Sequence, residues 1–253
     1  KEHIDIVKQI GNEKMSQQWI KEATIIFLLA FISYSPSLVA EFTFDDRPAI
    51  LENEDIVLQD VKFKTITNHL QQIFQHDFWG ANITDHSTSH KSYRPLTVLT
   101  FIIDNYIQNT ILSRYNISKN PFLFHLNNII LHGVNAVIFY IFLYKTLKQL
   151  HVIDPNRSHR TTSWSIPFIA ATIFAVHPVH TESVAGIVGR ADLLYSFFVL
   201  SAMLSRCFTS SCNNLAIVAI LSFLAVLSKE QGIMLIPIMI INEIFIWTCY
   251  QNQ

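Results

Sequence analysis

Two adjacent carboxylates, Asp45 and Asp46, directly follow a long apolar segment, in the run Phe42-Thr43-Phe44-Asp45-Asp46-Arg47-Pro48. An acid pair where a helix leaves a bilayer can meet a lipid-borne phosphate or sugar and an aqueous hydroxyl at once, and an ionised carboxylate there can take the proton of that hydroxyl. The same pair also suits a plain polar stop after a helix. Three cations have the chemistry to hold a phosphate: Arg94 in Tyr93-Arg94-Pro95, Arg190 in Gly189-Arg190-Ala191-Asp192, and Lys229 in Ser228-Lys229-Glu230-Gln231-Gly232. A guanidinium offers a planar fork of donors and an ammonium a compact charge. Glu182 and Glu230 lie beside them as pocket-lining acids or as ion-pair partners of Arg190 and Lys229. His177-Pro178-Val179-His180 with Glu182 and Asp192 has the residue types of a zinc site, but Pro178 breaks the helix that would align the imidazoles, so no metal is assigned.

The elements that must position these groups are membrane helices. Half of the 253 residues are hydrophobic, 19 are Phe and only 15% are charged, against about 25% charged in soluble domains. A net charge of -1 gives no basic field for nucleic acid. Cys207, Cys212 and Cys249 form no metal-ligand pattern and read as ordinary membrane residues.

Residues 1–19 are polar, with Lys1, Lys8 and Lys14, and read as a cytosolic tail. The apolar segment Ile20 to Val39 is long enough to span, and the polar stretch before it weighs against a cleaved signal peptide ending at Ala40. Lysines on its N-terminal side and acids beyond it place the N-terminus in the cytosol and Asp45 and Asp46 across the membrane. A lumenal loop over 41–121 follows. In it, Ile66, Leu70, Ile73 and Phe74 recur at helical spacing, as do Leu96, Leu99, Ile103 and Tyr106 after Pro95, which predicts two amphipathic surface helices. Asn82 and Asn116 head glycosylation sequons on this side.

A second span runs from about Phe122 to Leu143, carrying His125, Asn128, His132 and Asn135 on one stripe. In lipid that stripe must face protein, and interhelical hydrogen bonds are its expected use, since the two histidines are two turns apart. Lys145, Lys148, Arg157 and Arg160 mark the next loop as cytosolic, with the Asn156 sequon unused. Further spans begin near Ile166, Ala191, Leu215 and Ile233, separated by a polar re-entry at His177 to Asp192 and a break at Gly232. Alternation delivers every strong polar cluster to one side of the membrane. The fold class is all-α: a polytopic helical bundle of about six spans with surface helices.

Several of these runs occur together in one known family. Phe44-Asp45-Asp46, Tyr93-Arg94-Pro95-Leu96, Phe124-His125-Leu126-Asn127-Asn128, the block His177 to Asp192, and Leu227-Ser228-Lys229-Glu230-Gln231-Gly232 resemble the transmembrane and tetratricopeptide-repeat-containing O-mannosyltransferases. The block His177 to Asp192 is the most specific. The resemblance covers nearly everything from Phe42 onward and is to the N-terminal membrane part of the family's pattern over 20–253; no tetratricopeptide repeat occurs in these residues. It implies a glycosyltransferase of the GT-C membrane fold in the endoplasmic reticulum. Such an enzyme moves mannose from dolichyl phosphate mannose to Ser or Thr of lumenal proteins, with cadherins as family clients, and needs no cofactor beyond that lipid-linked donor. Under it, Asp45 or Asp46 is the base, the two acting jointly and unranked, and Arg94, Arg190 and Lys229 hold the leaving phosphate. Two rival classes are a transporter or channel fragment, which predicts charges near the midplane and related halves, neither of which the sequence displays, and a noncatalytic membrane scaffold.

Overall fold

The computed structural model describes residues 2–57, 71–110, 121–149, 165–208 and 212–251. The Asn116 and Asn156 sequons, Arg157 and Arg160 lie outside these residues, as does most of the surface helix expected around Ile66 and Leu70, of which only the end at 71–73 is described.

The described residues are helical, with a single isolated bridge between His76 and Asn82 in place of any sheet. The helices are α1 (Glu2–Tyr34), α2 (Pro95–Thr110), α3 (Phe122–Gln149), α4 (Ile166–Val176), α5 (Thr181–Ala185), α6 (Arg190–Phe208), α7 (Cys212–Ser228) and α8 (Leu235–Gln251). Gln17–Val39 and Phe122–Gln149 are long and apolar enough to cross a membrane; Pro178–Ala185 with Arg190–Cys207, bent by 112°, makes a third if counted as one span. Ile166–Val176 and Leu215–Ser228 are apolar but shorter. The bend falls within the stretch His177 to Asp192, where the sequence predicts a polar re-entry. Pro178 ends the helical run, His177 accepts the Val179 N–H at 3.1 Å through Nδ1, and the chain restarts at Arg190 after the turn Gly186–Gly189.

Helix α3 is the post on which α1, α4 and α6 lean. Its polar stripe does the joining. Asn128 donates to the Gly186 carbonyl at 3.0 Å, His132 Nε2 meets the Ala175 carbonyl at 3.0 Å, and Asn135 donates to the Leu193 carbonyl at 2.9 Å. The Ala175 and Gly186 carbonyls lie at the C-terminal ends of α4 and α5, where backbone acceptors lack helical partners, while the Leu193 carbonyl in the first turn of α6 takes Asn135 as an added donor. His125 is as buried as the others, and its ring lies beside Ala40 and Ala185. Asn128, His132 and Asn135 thus make the interhelical hydrogen bonds expected of the stripe.

The lower part of α1 carries a residue that composition did not single out. Glu22, only 7% exposed, accepts from Tyr140 Oη at 2.6 Å, Gln18 Nε2 at 3.0 Å and Ser165 Oγ at 3.4 Å. One carboxylate thus clasps α1, α3 and the N-cap of α4.

The loop between α1 and α2 is ordered where it is described, because acids wind the backbone around themselves. Asp77 takes the N–H groups of Trp79, Ala81 and His90 and the Ser89 hydroxyl. Asp85 takes the Ser87 N–H and the Ser87 and Thr88 hydroxyls, which hold its carboxyl down at about 2. Asn82 of the first sequon is exposed, with Thr84 hydrogen-bonded to its Oδ1 through both N–H and hydroxyl. Expressed in mammalian microsomes, the chain should therefore carry a glycan at Asn82 if this loop is lumenal. An Asn82→Gln variant then loses one glycan's worth of mass on a gel, and an unshifted band reverses the orientation inferred from the lysines.

In α2, Ile103 and Tyr106, on the face expected against the membrane surface, are 57% and 60% exposed, while Thr97, Val98, Phe101, Asp104 and Gln108 are buried on the inward side. Polar groups turn inward because partners wait there. Thr97 Oγ1 donates to the Ser228 carbonyl at the end of α7 at 2.8 Å, and Asp104 meets Arg190.

Candidate active site

Asp45, Asp46, Arg94, Glu182 and Arg190 lie within a few residues of one apolar cluster built from separate stretches of chain, and Lys229 and Glu230 are linked to its surroundings through Asp192 and Arg94. Ala49, Ile50 and Ile56 come from the Asp45 loop, Ile73 and Phe78 from the next loop, Val98 and Phe101 from α2, Phe124 from α3 and Ile187 from the turn before α6. A series of rings runs through it: Phe42 to Phe124 at 5.9 Å, Phe124 to Phe101 at 6.0 Å and Phe101 to Phe78 at 6.2 Å between centroids. The Arg94 guanidinium lies over Phe78 at 5.1 Å.

The two aspartates are separated in role by burial. Asp46 is 3% exposed; its Oδ2 accepts from Thr43 N–H at 3.1 Å and Thr43 Oγ1 at 3.3 Å, and its Oδ1 from Val188 N–H at 3.1 Å. It pins the loop after α1 to the turn before α6. Asp45 is exposed, and its side chain makes no hydrogen bond to the described residues. The turn between them is tight. Asp46 N–H reaches the Thr43 carbonyl at 2.8 Å, Ala49 N–H reaches the Asp45 carbonyl at 3.1 Å, and Arg47–Leu51 closes as one π-helical turn. Phe44 is left at φ 40°, a left-handed conformation that costs a residue with a Cβ on the order of 1–2 kcal/mol.

Arg190 is 3% exposed and spends its donors within the chain. It gives Nε to Asn128 Oδ1 at 2.8 Å, Nη2 to the Phe124 carbonyl at 2.8 Å and Nη1 to Asp104, with the guanidinium 4.7 Å from the Phe101 ring. Its partner is neither Glu182 nor Glu230 but Asp104, on the helix whose inward face the hydropathy pattern hid. Burial raises the Asp104 carboxyl above its ordinary value, with the Arg190 charge pulling the other way.

Lys229 and Glu230 form a corner between α7 and the following turn. Lys229 Nζ reaches Asp192 at the start of α6, and Glu230 takes the Arg94 Nε at 3.1 Å, where Arg94 precedes α2. Two neighbouring residues thus tie α7 to α2 and to α6 through partners that keep solvent access: Glu230 and Asp192 side chains are 42% and 40% exposed. Gly232 makes the corner possible, since a Cβ there would stand 2.3 Å from the Ala225 backbone. Glu182 is exposed in the first turn of α5 and makes no ion pair among the described residues.

No group of three or more His, Cys, Asp or Glu able to hold a metal occurs among the described residues. The rings of His177 and His180 stand 6.4 Å apart, and His180 packs against His132 and Phe174. Sequence reasoning missed Asp104, whose signal was an acid inside an otherwise apolar helix, and Asp192 as the Lys229 partner.

Comparison with known proteins gives these residues a family context. No protein-family model matches the chain, and no solved structure matches it. Human protein O-mannosyl-transferase TMTC3 is 39% identical over 233 residues, which is 90% of this chain and 22% of the human protein. The Caenorhabditis elegans protein O-mannosyl-transferase F38B6.6 is 38% identical over 229 residues, 90% of this chain and 29% of the worm protein. Human TMTC4 is 34% identical over 239 residues, 90% of this chain and 29% of the human protein. The chain thus spans less than a third of the length of these curated relatives, and over about nine tenths of its own length it is similar to the protein O-mannosyl-transferases that the TMTC names denote.

Proposed function

We propose that this chain is the membrane part of an O-mannosyltransferase that carries the base and the phosphate-binding cations, with dolichyl phosphate mannose as donor and Ser or Thr of secretory-pathway proteins, cadherin-like ones among them, as acceptor. The observation that carries this reading is the division of labour between Asp46, locked in place by Thr43 and Val188, and Asp45, presented to solvent beside it. The acceptor oxygen attacks the anomeric carbon, the bond from that carbon to the donor phosphate breaks with its electrons passing to the phosphate oxygen, and the hydroxyl proton goes to Asp45. Asp46 positions the loop. Glu182 lies exposed on α5, which leads into the turn that Asp46 grips, and orients the acceptor. The proposal extends to the architecture: a GT-C-type bundle of about six spans in the endoplasmic-reticulum membrane, N-terminus cytosolic, with the acid loop lumenal.

Arg94 and Lys229 hold the departing phosphate, where preorganised cations stabilise accumulating negative charge. Glu230 and Asp192 pair with these cations, and the donor phosphate takes their place. Arg190 supports the site from below by holding Asp104, Asn128 and Phe124 together.

The direct test is transfer of labelled mannose from dolichyl phosphate mannose to a Ser/Thr peptide by the longest form of the protein that carries this segment, reconstituted in vesicles. A second measurement addresses the phosphate. Arg94→Ala and Lys229→Ala each weaken donor binding by about tenfold, the scale of one charge-assisted hydrogen bond. Glu230→Gln frees Arg94 and tightens donor binding. If Glu230→Gln weakens binding as much as Arg94→Ala does, the pair is a structural tie and the phosphate role falls.

A further inference from the structure

The most exposed aromatic among the described large hydrophobics has no part in the mechanism so far. Phe44 is 94% exposed and sits at φ 40°, whereas Phe42, two residues earlier, is packed against Phe124. The turn fixes this outward placement. On one side Asp46 accepts from the Thr43 N–H and hydroxyl; on the other the Arg47 N–H reaches the Phe44 carbonyl at 3.3 Å and the Ala49 N–H reaches the Asp45 carbonyl at 3.1 Å. A benzyl group facing solvent gains nothing for folding, and a glycine would relieve the backbone. Strain kept at an exposed aromatic, adjoining an exposed carboxylate, is the pattern of a residue placed for a ligand.

We infer that Phe44 is a substrate-contacting residue whose ring packs against the pyranose of the lipid-linked sugar, beside the anomeric carbon that Asp45 serves. This rests on the assignment of Asp45 as base. Both residues are exposed and their Cα atoms are about 3.8 Å apart, so the ring and the carboxylate leave the turn at neighbouring points. A hexose presents C–H groups on its flatter face, which suit an aromatic surface, and glycosyl transfer builds positive charge at the anomeric centre, which the face of a ring attracts. The contact is made more strongly with the transition state than with the ground state, so it acts on turnover as well as on donor affinity.

The test uses the longest form of the protein that carries this segment, in vesicles of neutral phospholipid. F44L keeps an apolar side chain and removes the π face; kcat/KM for donor falls by about 10-fold, within the range of a desolvated ring–cation contact, while F44Y and F44W retain most of it. Membrane association and abundance of F44L stay normal. In F44W, the indole emission shifts on adding polyisoprenyl-phosphate mannose and not on adding the sugar-free polyisoprenyl phosphate. An F44L enzyme of full activity overturns the inference. So does an indole shift produced by vesicles alone, which would make Phe44 a membrane anchor. The two readings fail separately. If D45N keeps full activity, the base assignment is lost, while the sugar-dependent indole shift still decides for or against the ring.

Discussion

An Asp45→Asn variant keeps the shape of the side chain and turns over about 10²- to 10⁴-fold more slowly, the range expected when a general base is removed. Donor binding and thermal midpoint stay near those of the parent, because the Asp45 carboxylate makes no hydrogen bond to the described residues. Asp46→Asn behaves differently. An amide keeps an acceptor for the Val188 N–H but turns donors toward the Thr43 N–H and hydroxyl, so the turn loosens at a cost of about 1.5–3 kcal/mol, the scale of hydrogen bonds to a charged group. The two variants are compared for abundance, thermal midpoint and mannose transfer across pH. Loss of transfer at normal abundance and thermal midpoint in Asp45→Asn alone identifies the base. Normal transfer by Asp45→Asn removes it from the mechanism.

Arg190→Met lowers stability by about 3–5 kcal/mol, the cost of leaving one member of a buried ion pair without its partner. Asp104 would retain only Asn127 at 2.6 Å, and Asn128 Oδ1 and the Phe124 carbonyl would each lose a donor. Against a total of about 5–15 kcal/mol for a folded domain, this is severe. The double variant Arg190→Met with Asp104→Leu recovers most of the loss, since burial already raises the Asp104 carboxyl and neither charge then needs solvating. Thermal unfolding in detergent measures both. If Arg190 served chiefly to bind phosphate, the single variant would instead fold normally and lose donor affinity, and the double variant would not rescue it.

The contrast between these residues shows what a sequence carries. The stripe His125, Asn128, His132 and Asn135 was legible because polar residues at helical spacing within an apolar run have only protein to face, and the structure buries all four. The break at Pro178 and Gly232 was legible because backbone chemistry alone dictates it. Asp45 and Asp46 were legible as a pair but not in rank, since burial by Thr43 and Val188 arises from a contact 142 positions along the chain. The polar residues on the inward face of α2 went unread for a related reason. Periodicity counts apolar residues, whereas Thr97 and Asp104 turn inward to meet Ser228 and Arg190, partners that no local pattern names.

The Glu22 clasp bears on how the chain is assembled. A helix synthesised first enters the bilayer before the ones that follow it, so α1 must be accepted with this acid before Tyr140 or Ser165 has been made. An acid at the centre of a lone helix is penalised by about 2.5–3.5 kcal/mol on insertion scales; Glu22 is six residues into the apolar stretch Gln17–Val39, close enough to its edge to remain near water while it waits. Gln18, one turn earlier on the same helix, is the only one of its three donors present at that stage. The arrival of α3 and then of the Ser165 cap draws the carboxylate inward, so that docking of later helices sets the final depth of the first.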